Sequence, residues 1–243
     1  MRTFVLLAAV VLLSASLTSC HRIIHKVART TSDLTMTYDH PERFVKGSYS
    51  STEVVREIEI NWVGGTIEIG ASESDTLYAI ETADGLLNDT TTMHWYKDYE
   101  GTLHLAFIKP TRSVSLRADS SLHKNLIVKV PYSMPLEDIS VNGVDVTLNV
   151  KDVQCKELDV SGVSIHCGAI FDKAPEDVSV NGVNMQAFLT LPQGTSVSVE
   201  TDGVGCTFDS EIPLCKEDQA ACEVSADGVS CYIHVRQNKP AHK

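Results

Sequence analysis

The sequence predicts an all-β chain built as a stack of parallel β-coils, and three observations predict it. One phrase recurs five times, at Ile139–Val146 (ISVNGVDV), Leu158–Ile165 (LDVSGVSI), Val178–Met185 (VSVNGVNM), Val199–Cys206 (VETDGVGC) and Val224–Cys231 (VSADGVSC). Its glycines, Gly143, Gly162, Gly182, Gly203 and Gly228, fall 19, 20, 21 and 25 residues apart, a drifting period that marks stacked units of about 20 residues with loops of variable length. No sustained 3.6-residue apolar period appears after the N-terminal leader, so helix has little claim.

The phrase has a physical logic when read in columns. Apolar residues stand four places before the glycine (Ile139, Leu158, Val178, Val199, Val224) and three places after it (Val146, Ile165, Met185, Cys206, Cys231). Polar or small residues alternate with them, the period of a strand with one buried face. The residue before each glycine is Asn, Ser or Asp, types that tolerate left-handed backbone, and glycine then takes a positive φ freely. Each copy therefore reads as strand, tight corner, strand. Asn-Gly and Asp-Gly corners also suit two-residue hairpins, so an antiparallel meander is the alternative. A meander does not require like residues to recur column by column; coils stacked about 4.8 Å apart do. Ile58–Ile67 is an earlier, degenerate copy with Gly64 in the glycine column.

In chain order, Met1-Arg2-Thr3 is a short positive start, Phe4–Leu13 an apolar core and Ser14–Ser19 a small-residue stretch. That is the order of a signal peptide over residues 1–19, too short for the roughly 20 apolar residues of a membrane span. Leu17-Thr18-Ser19-Cys20 resembles the lipobox of a bacterial lipoprotein precursor. The resemblance implies cleavage before Cys20, acylation of the new N-terminal cysteine with palmitate-type chains, and anchoring to a membrane of the cell envelope, the outer one expected, facing the periplasm or the surface. Residues 20–52 read as a polar tether, whose Arg22, Lys26 and Arg29 precede the first acidic residue, Asp33. Such charges suit either an anionic lipid surface or plain solvation.

Residues 53–236 form the repeat domain, preceded within it by a candidate hairpin, Met93–Tyr96 with Thr102–Phe107, able to cap an open end of the stack. Residues 237–243 read as a frayed tail. The formal charge of −12 argues against a nucleic-acid partner.

The succession Ile58-Glu-Ile, Gly64-Gly-Thr-Ile-Glu-Ile69, Leu126-Ile-Val-Lys-Val-Pro131 and the Val-x-Gly-Val phrases resembles the adhesin-like β-strand repeat proteins of bacterial envelopes, over roughly residues 53–236. The resemblance implies a right-handed β-solenoid or roll without catalytic residues. The cysteines and the 25-residue interval with Pro213 and Cys215 depart from that pattern.

Six cysteines follow Cys20, and an exported chain can oxidise them. Cys206 and Cys231 share an inward column at a spacing compatible with a disulfide. Cys167, between Leu148 and Ala187 in its column, reads as an inert buried thiol, and the pairing of Cys155, Cys215 and Cys222 stays open. No catalytic residues and no cofactor are expected: His166 and Cys167 are adjacent on a strand and point to opposite faces. No hydrolase, zincin or phosphate-loop motif occurs, and the nine histidines lack ligand spacing, so no metal is expected. The outward column Thr147, His166, Gln186, Thr207 and Tyr232 forms a regular polar face able to bind an envelope protein or glycan. The function this predicts is a non-catalytic, membrane-anchored scaffold or adhesin-like module. The alternatives are a carbohydrate-active β-helix enzyme using Asp145, Asp159, Asp202 or Asp227, and an envelope-stress accessory.

Overall fold

The computed structural model describes residues 33–117 and 122–238. The signal peptide, Cys20, the basic stretch after it and the last five residues lie outside them. The described chain is all-β, its helical segments being two short 3₁₀ turns at Pro41–Arg43 and Glu217–Gln219. The strands before the repeats are β1 (Asp33–Thr37), β2 (Val45–Lys46), β3 (Tyr49–Ser51), β4 (Glu57–Val63), β5 (Thr66–Ser72), β6 (Leu77–Ala83), β7 (His94–Lys97), β8 (Thr102–Ala106), β9 (Ser113–Arg117) and β10 (Lys124–Pro131). The repeats supply β11 (Leu136–Lys151), β12 (Cys155–Ile170), β13 (Asp177–Leu191), β14 (Val197–Val204), β15 (Thr207–Ser210) and β16 (Cys222–Gln237).

The repeats pair parallel and in register, Gly143 beside Gly162, Gly182 and Gly228 in turn. That excludes a hairpin at Asn142-Gly143. Parallel neighbours joined by three residues, as β11 and β12 are by 152–154, cannot both be straight. Sixteen residues of straight strand span about 50 Å, whereas a three-residue link reaches about 14 Å, and Cys155 lies beside Leu136. Each long strand therefore doubles back within its own length. A first limb (136–142 in β11) and a second (146–151) face each other across a core of Ile139, Val141, Val146, Leu148 and Val150 and their column mates, all buried.

The corner between the limbs explains the glycine. At Gly162, Gly182, Gly228 and Gly203 φ is +145°, +145°, +136° and +97°, and a Cβ at each would lie 1.9–2.1 Å from the carbonyl oxygen of the glycine on the adjacent rung. No side chain fits there. The other strained position falls two residues after the glycine, at Asp145, Ser164, Asn184 and Ser230, with φ of 55–59°, rather than before it as the sequence suggested. These short polar types tolerate left-handed backbone best among non-glycines. The early copy is likewise shifted: Trp62, not Gly64, stands beside Gly143, and Gly64 and Gly65 make the corner between β4 and β5 with φ of 65° and 68°.

Two expectations of sequential, uniformly parallel coils are corrected. The large sheet is mixed, because the N-terminal strands β2, β3, β6 and β7 add antiparallel pairs, among them the expected hairpin of β7 and β8. The rungs are also out of chain order at both ends. β4 and β5 lie between β8/β10 and β11, and β16 lies between β13 and β14/β15. The 11 residues of 211–221 give the chain the slack to step back one rung, which accounts for the long interval before Gly228.

The tether also ends sooner than expected. Met36, Tyr38 and Tyr49 are buried in the core, so residues 33–52 belong to the domain. At the opposite end of the proposed domain, Asn238 still bonds to Leu191 O (2.8 Å).

The N-terminal strands are fixed by a buried cation. Lys124 is fully enclosed, donates to Glu81 Oε2 (2.7 Å), Thr91 O (2.8 Å) and Phe107 O, and lies over the Phe107 and Trp62 rings. Burial lowers its pKa and the Glu81 carboxylate opposes that shift.

Gly182→Ala is expected to cost about 3–5 kcal/mol or to prevent folding, from clash and backbone strain together. Gly168→Ala, whose Cβ would meet only Asn149 Oδ1 at 3.5 Å and a carbonyl at 4.0 Å, is expected to stay within about 1 kcal/mol. Urea denaturation of both variants measures the difference.

Candidate functional site

The two limbs present chemically different outer faces. On the first limb, strand alternation turns Glu57, Asp138, Glu157, Asp177 and Glu223 outward, and the registers place these five side by side on successive rungs. They are half-buried. Neighbouring like charges about 4.8 Å apart repel by roughly 1 kcal/mol in water and several times that near a protein surface. Glu59, Ser140, Asp159 and Ser179 form the adjacent column, and Asn61, Asn142, Ser161 and Asn181 the next.

At the N-terminal end of this face lies an open groove of about 950 Å³, walled by residues 37–44 and the β7–β8 turn and floored by β4, β8, β11 and β12. Within it lies a carboxylate–imidazole–carboxylate array. Asp98 Oδ1 accepts the backbone N–H groups of Glu100, Gly101 and Thr102 at 2.9, 2.9 and 2.8 Å, which closes the turn. Its Oδ2 lies 3.3 Å from His104 Nε2, while His104 Nδ1 lies 2.9 Å from Glu59 Oε2. Burial alone would lower the His104 pKa, but the two carboxylates outweigh it and raise the value. Burial would raise Asp98, yet the Thr102 N–H, the imidazolium and the Glu100 N–H together hold it below the usual carboxylate range. The ring stacks on Tyr96 with centroids 5.7 Å apart. Tyr96 in turn accepts a hydrogen bond from Arg43 (2.6 Å), whose guanidinium lies between the Tyr96 and Tyr99 rings.

The predicted column Thr147, His166, Gln186, Thr207 and Tyr232 is assembled on the second limb, in the spatial order Thr147, His166, Gln186, Tyr232, Thr207. Beside it runs a column missed in the sequence, Asn149, Gly168, Phe188, His234 and Asp209. Phe188 is 45% exposed and packs edge-on against Tyr232 at 5.9 Å. His234 sits 6.2 Å from Phe188 and 3.1 Å from Asp209 Oδ2. These residues come from β13, β15 and β16, so only the rung order brings them together. Asp145 sits at the corner, while Asp202 and Asp227 face each other across β14 and β16.

All six cysteines of the domain are free thiols. Burial pushes Cys155, Cys167 and Cys222 up to about 12, the state of inert core thiols. Cys167 lies between Leu148 and Ala187, as its column predicts, and His166 points the other way, to solvent. Cys206 and Cys231 are brought into contact, burial first and the hydrogen bond with Cys206 second pushing Cys231 up to about 11. Among the described residues no group of three or more His, Cys, Asp or Glu is arranged to hold a metal ion.

No family model matches the chain, and no curated protein matches it in sequence. A solved structure from Clostridium sporogenes, named for an inferred role in cell adhesion, superposes with a TM-score of 0.56 at 14% identity, covering 80% of this chain and 100% of that one. The likeness is one of fold. Structures from Bacteroides fragilis and Parabacteroides merdae, named as inferred adhesins, give TM-scores of 0.34 and 0.31 at 11% and 13% identity, covering 77% and 86% of this chain and 95% and 96% of theirs. At those scores the last two carry no argument.

His104→Gln is expected to destabilise the protein by about 1.5–3 kcal/mol, the worth of hydrogen bonds to charged groups. The raised His104 value contributes stability in full below pH 6.5, its ordinary value, and loses it as pH rises through the folded one. The lowered Asp98 value contributes in full above pH 3.8 and loses it as pH falls through the folded one. The difference in stability between wild type and variant should therefore be largest between those limits and shrink above them, as thermal melts across pH would record.

Proposed function

We propose that this chain is a lipid-anchored, non-catalytic envelope module of adhesin type, a right-handed parallel β-solenoid that presents its second-limb face to a glycan. The observation that carries the reading is the Phe188–Tyr232–His234 patch set among the polar column of Thr147, His166 and Gln186. Exposed rings stack on the apolar faces of sugars and nearby polar side chains bond their hydroxyls, a division of labour that suits a ligand bound without reaction. The doubled-back strands, the like fold of a protein named for cell adhesion and the Leu17–Cys20 sequence support the architecture and the address. Palmitate would be carried on Cys20, holding the domain at an envelope membrane, outer by expectation.

The test is binding of isolated envelope polysaccharide to the chain. Replacing Phe188 and Tyr232 by alanine is expected to weaken it about tenfold, in line with one or two stacking contacts. Unchanged binding would contradict the reading, and release of shortened saccharides would favour the carbohydrate-active alternative, for which the groove carboxylates would be the acids to mutate.

Cys206 and Cys231 would serve this module as a staple between the two last rungs. In chain taken from an oxidising envelope, a thiol-reactive mass label applied after unfolding is expected to miss these two residues and to reach Cys231 in a Cys206→Ser variant. Labelling of both in the wild type would remove the staple.

A further inference from the structure

The second-limb face is continuous along the ladder, its strands β6, β10, β5, β11, β12, β13, β16 and β15 neighbouring one another in that order. We infer that the glycan this face takes is acidic, a polyuronate lying along the stacking axis with its carboxylates on Lys129, Lys151 and Arg236. The inference rests on the glycan reading above and names the class of sugar.

A third outward column, one step beyond the aromatic one, supplies the cations. Lys129, Gly70, Lys151, Ile170, Thr190 and Arg236 follow one another on successive rungs, and strand alternation gives them the outward side. Lys151 and Arg236 are exposed and Lys129 is half-buried. Two rungs, about 10 Å, separate Lys129 from Lys151, and three rungs, about 14 Å, separate Lys151 from Arg236. Among the described residues none of these three cations forms an ion pair.

Two of the cations are held in place. A Cβ at Gly70 would lie 2.7 Å from Lys129 Nζ, so the missing side chain lets the ammonium lie across that rung, next to the rung of Lys151. Two cations on adjacent rungs repel, and an anionic group between them turns the repulsion into two attractions. Arg236 Nε donates to Thr190 Oγ1 at 3.0 Å, which fixes the guanidinium and leaves its terminal nitrogens for a ligand. Their planar fork matches a carboxylate.

The aromatic patch lies between these stations. Phe188 stands two residues before Thr190, and His234 and Tyr232 two and four before Arg236. On the Lys151 side Phe188 adjoins Gly168, where a sugar ring meets no side chain of that rung. Cations spread along one line suit single charges carried on successive sugars of a polymer.

The carboxylates are distributed to match. On these three columns Asp209 and Glu211 lie 3.1 and 3.7 Å from the His234 nitrogens, and Glu68 stands two residues before Gly70. The acidic column of Glu57, Asp138, Glu157, Asp177 and Glu223 is on the opposite limb. In a chain of net charge −12, the rings are therefore on the limb that an anion can approach.

Calorimetric titration of the full chain with isolated envelope polysaccharide, native and after chemical reduction of its carboxyl groups to alcohols, tests the inference. Reduction is expected to weaken binding at least about tenfold, the worth of three exposed charge pairs. The joint variant Lys129→Gln, Lys151→Gln and Arg236→Gln is expected to lose the same factor on the native polymer and nothing further on the reduced one. Phe188→Ala should weaken binding of both polymers. Equal affinity of the wild type for the two polymers, or a joint variant that holds the native polymer as the wild type does, would overturn the acidic class and leave the glycan reading standing. Binding of neither polymer by the wild type would overturn both.

Discussion

The contact on which this structure depends is that of a glycine with the carbonyl oxygen of the glycine on the adjacent rung. At each repeat corner a Cβ would sit about 2 Å from that oxygen, so only a residue without one lets the next rung approach to hydrogen-bonding distance. Once the corner is fixed, the rest of each repeat follows. The strand doubles back, its alternate residues point into the space between the limbs, and like columns stack on like. Gly143 shows the limit of the rule. Its neighbour on the N-terminal side is Trp62, its Cβ would lie 3.4 Å from that residue's carbonyl, and its φ is not positive.

Both ends of the ladder break chain order. A simple stack would leave its first and last coils as open edges with unpaired backbone groups. Here the chain lays β8/β10 outside β4/β5, and β14/β15 outside β16, so that each penultimate rung is gripped on both sides by segments distant in sequence. At the N-terminal end the edge is further covered by β2, β3, β6 and β7, pinned through Lys124 and Glu81. At the other end Leu214 bridges to Val197, while Glu200 and Asp202 line the rest of β14, and charges on an edge strand discourage further pairing. The energetic consequence is that the ends are closed by long-range contacts, which cost loop entropy.

Much of this was legible in the residues. The repeated phrase sets the rungs, the apolar columns set the inside, and Cys206 and Cys231 lie in contact because those two rungs remain neighbours whichever comes last. The rung order was not legible, since every copy of the phrase is an equally good neighbour for every other; a fixed repeat specifies register but not sequence of stacking. The same ambiguity hid the aromatic patch, because Phe188 and His234 adjoin only when β16 follows β13. The buried Lys124 gave no signal, sitting in an ordinary alternating strand. The carboxylate column could have been found by aligning the residues five places before the repeat glycines, where Asp138, Glu157, Asp177 and Glu223 stand, with Ser198 the exception before Gly203.

The functional account rests on that rung order, because it decides which side chains share a face. Cysteine pairs introduced on the outer face of the first limb measure it directly, in a background with the native cysteines replaced, using a reagent that bridges thiols one rung apart. Ser179→Cys with Ser225→Cys should crosslink efficiently, as should Ser225→Cys with Glu200→Cys, while Ser179→Cys with Glu200→Cys, two rungs apart, should not. Efficient crosslinking of residues 179 and 200, with loss of the 179–225 product, would restore the sequential order and contradict the account.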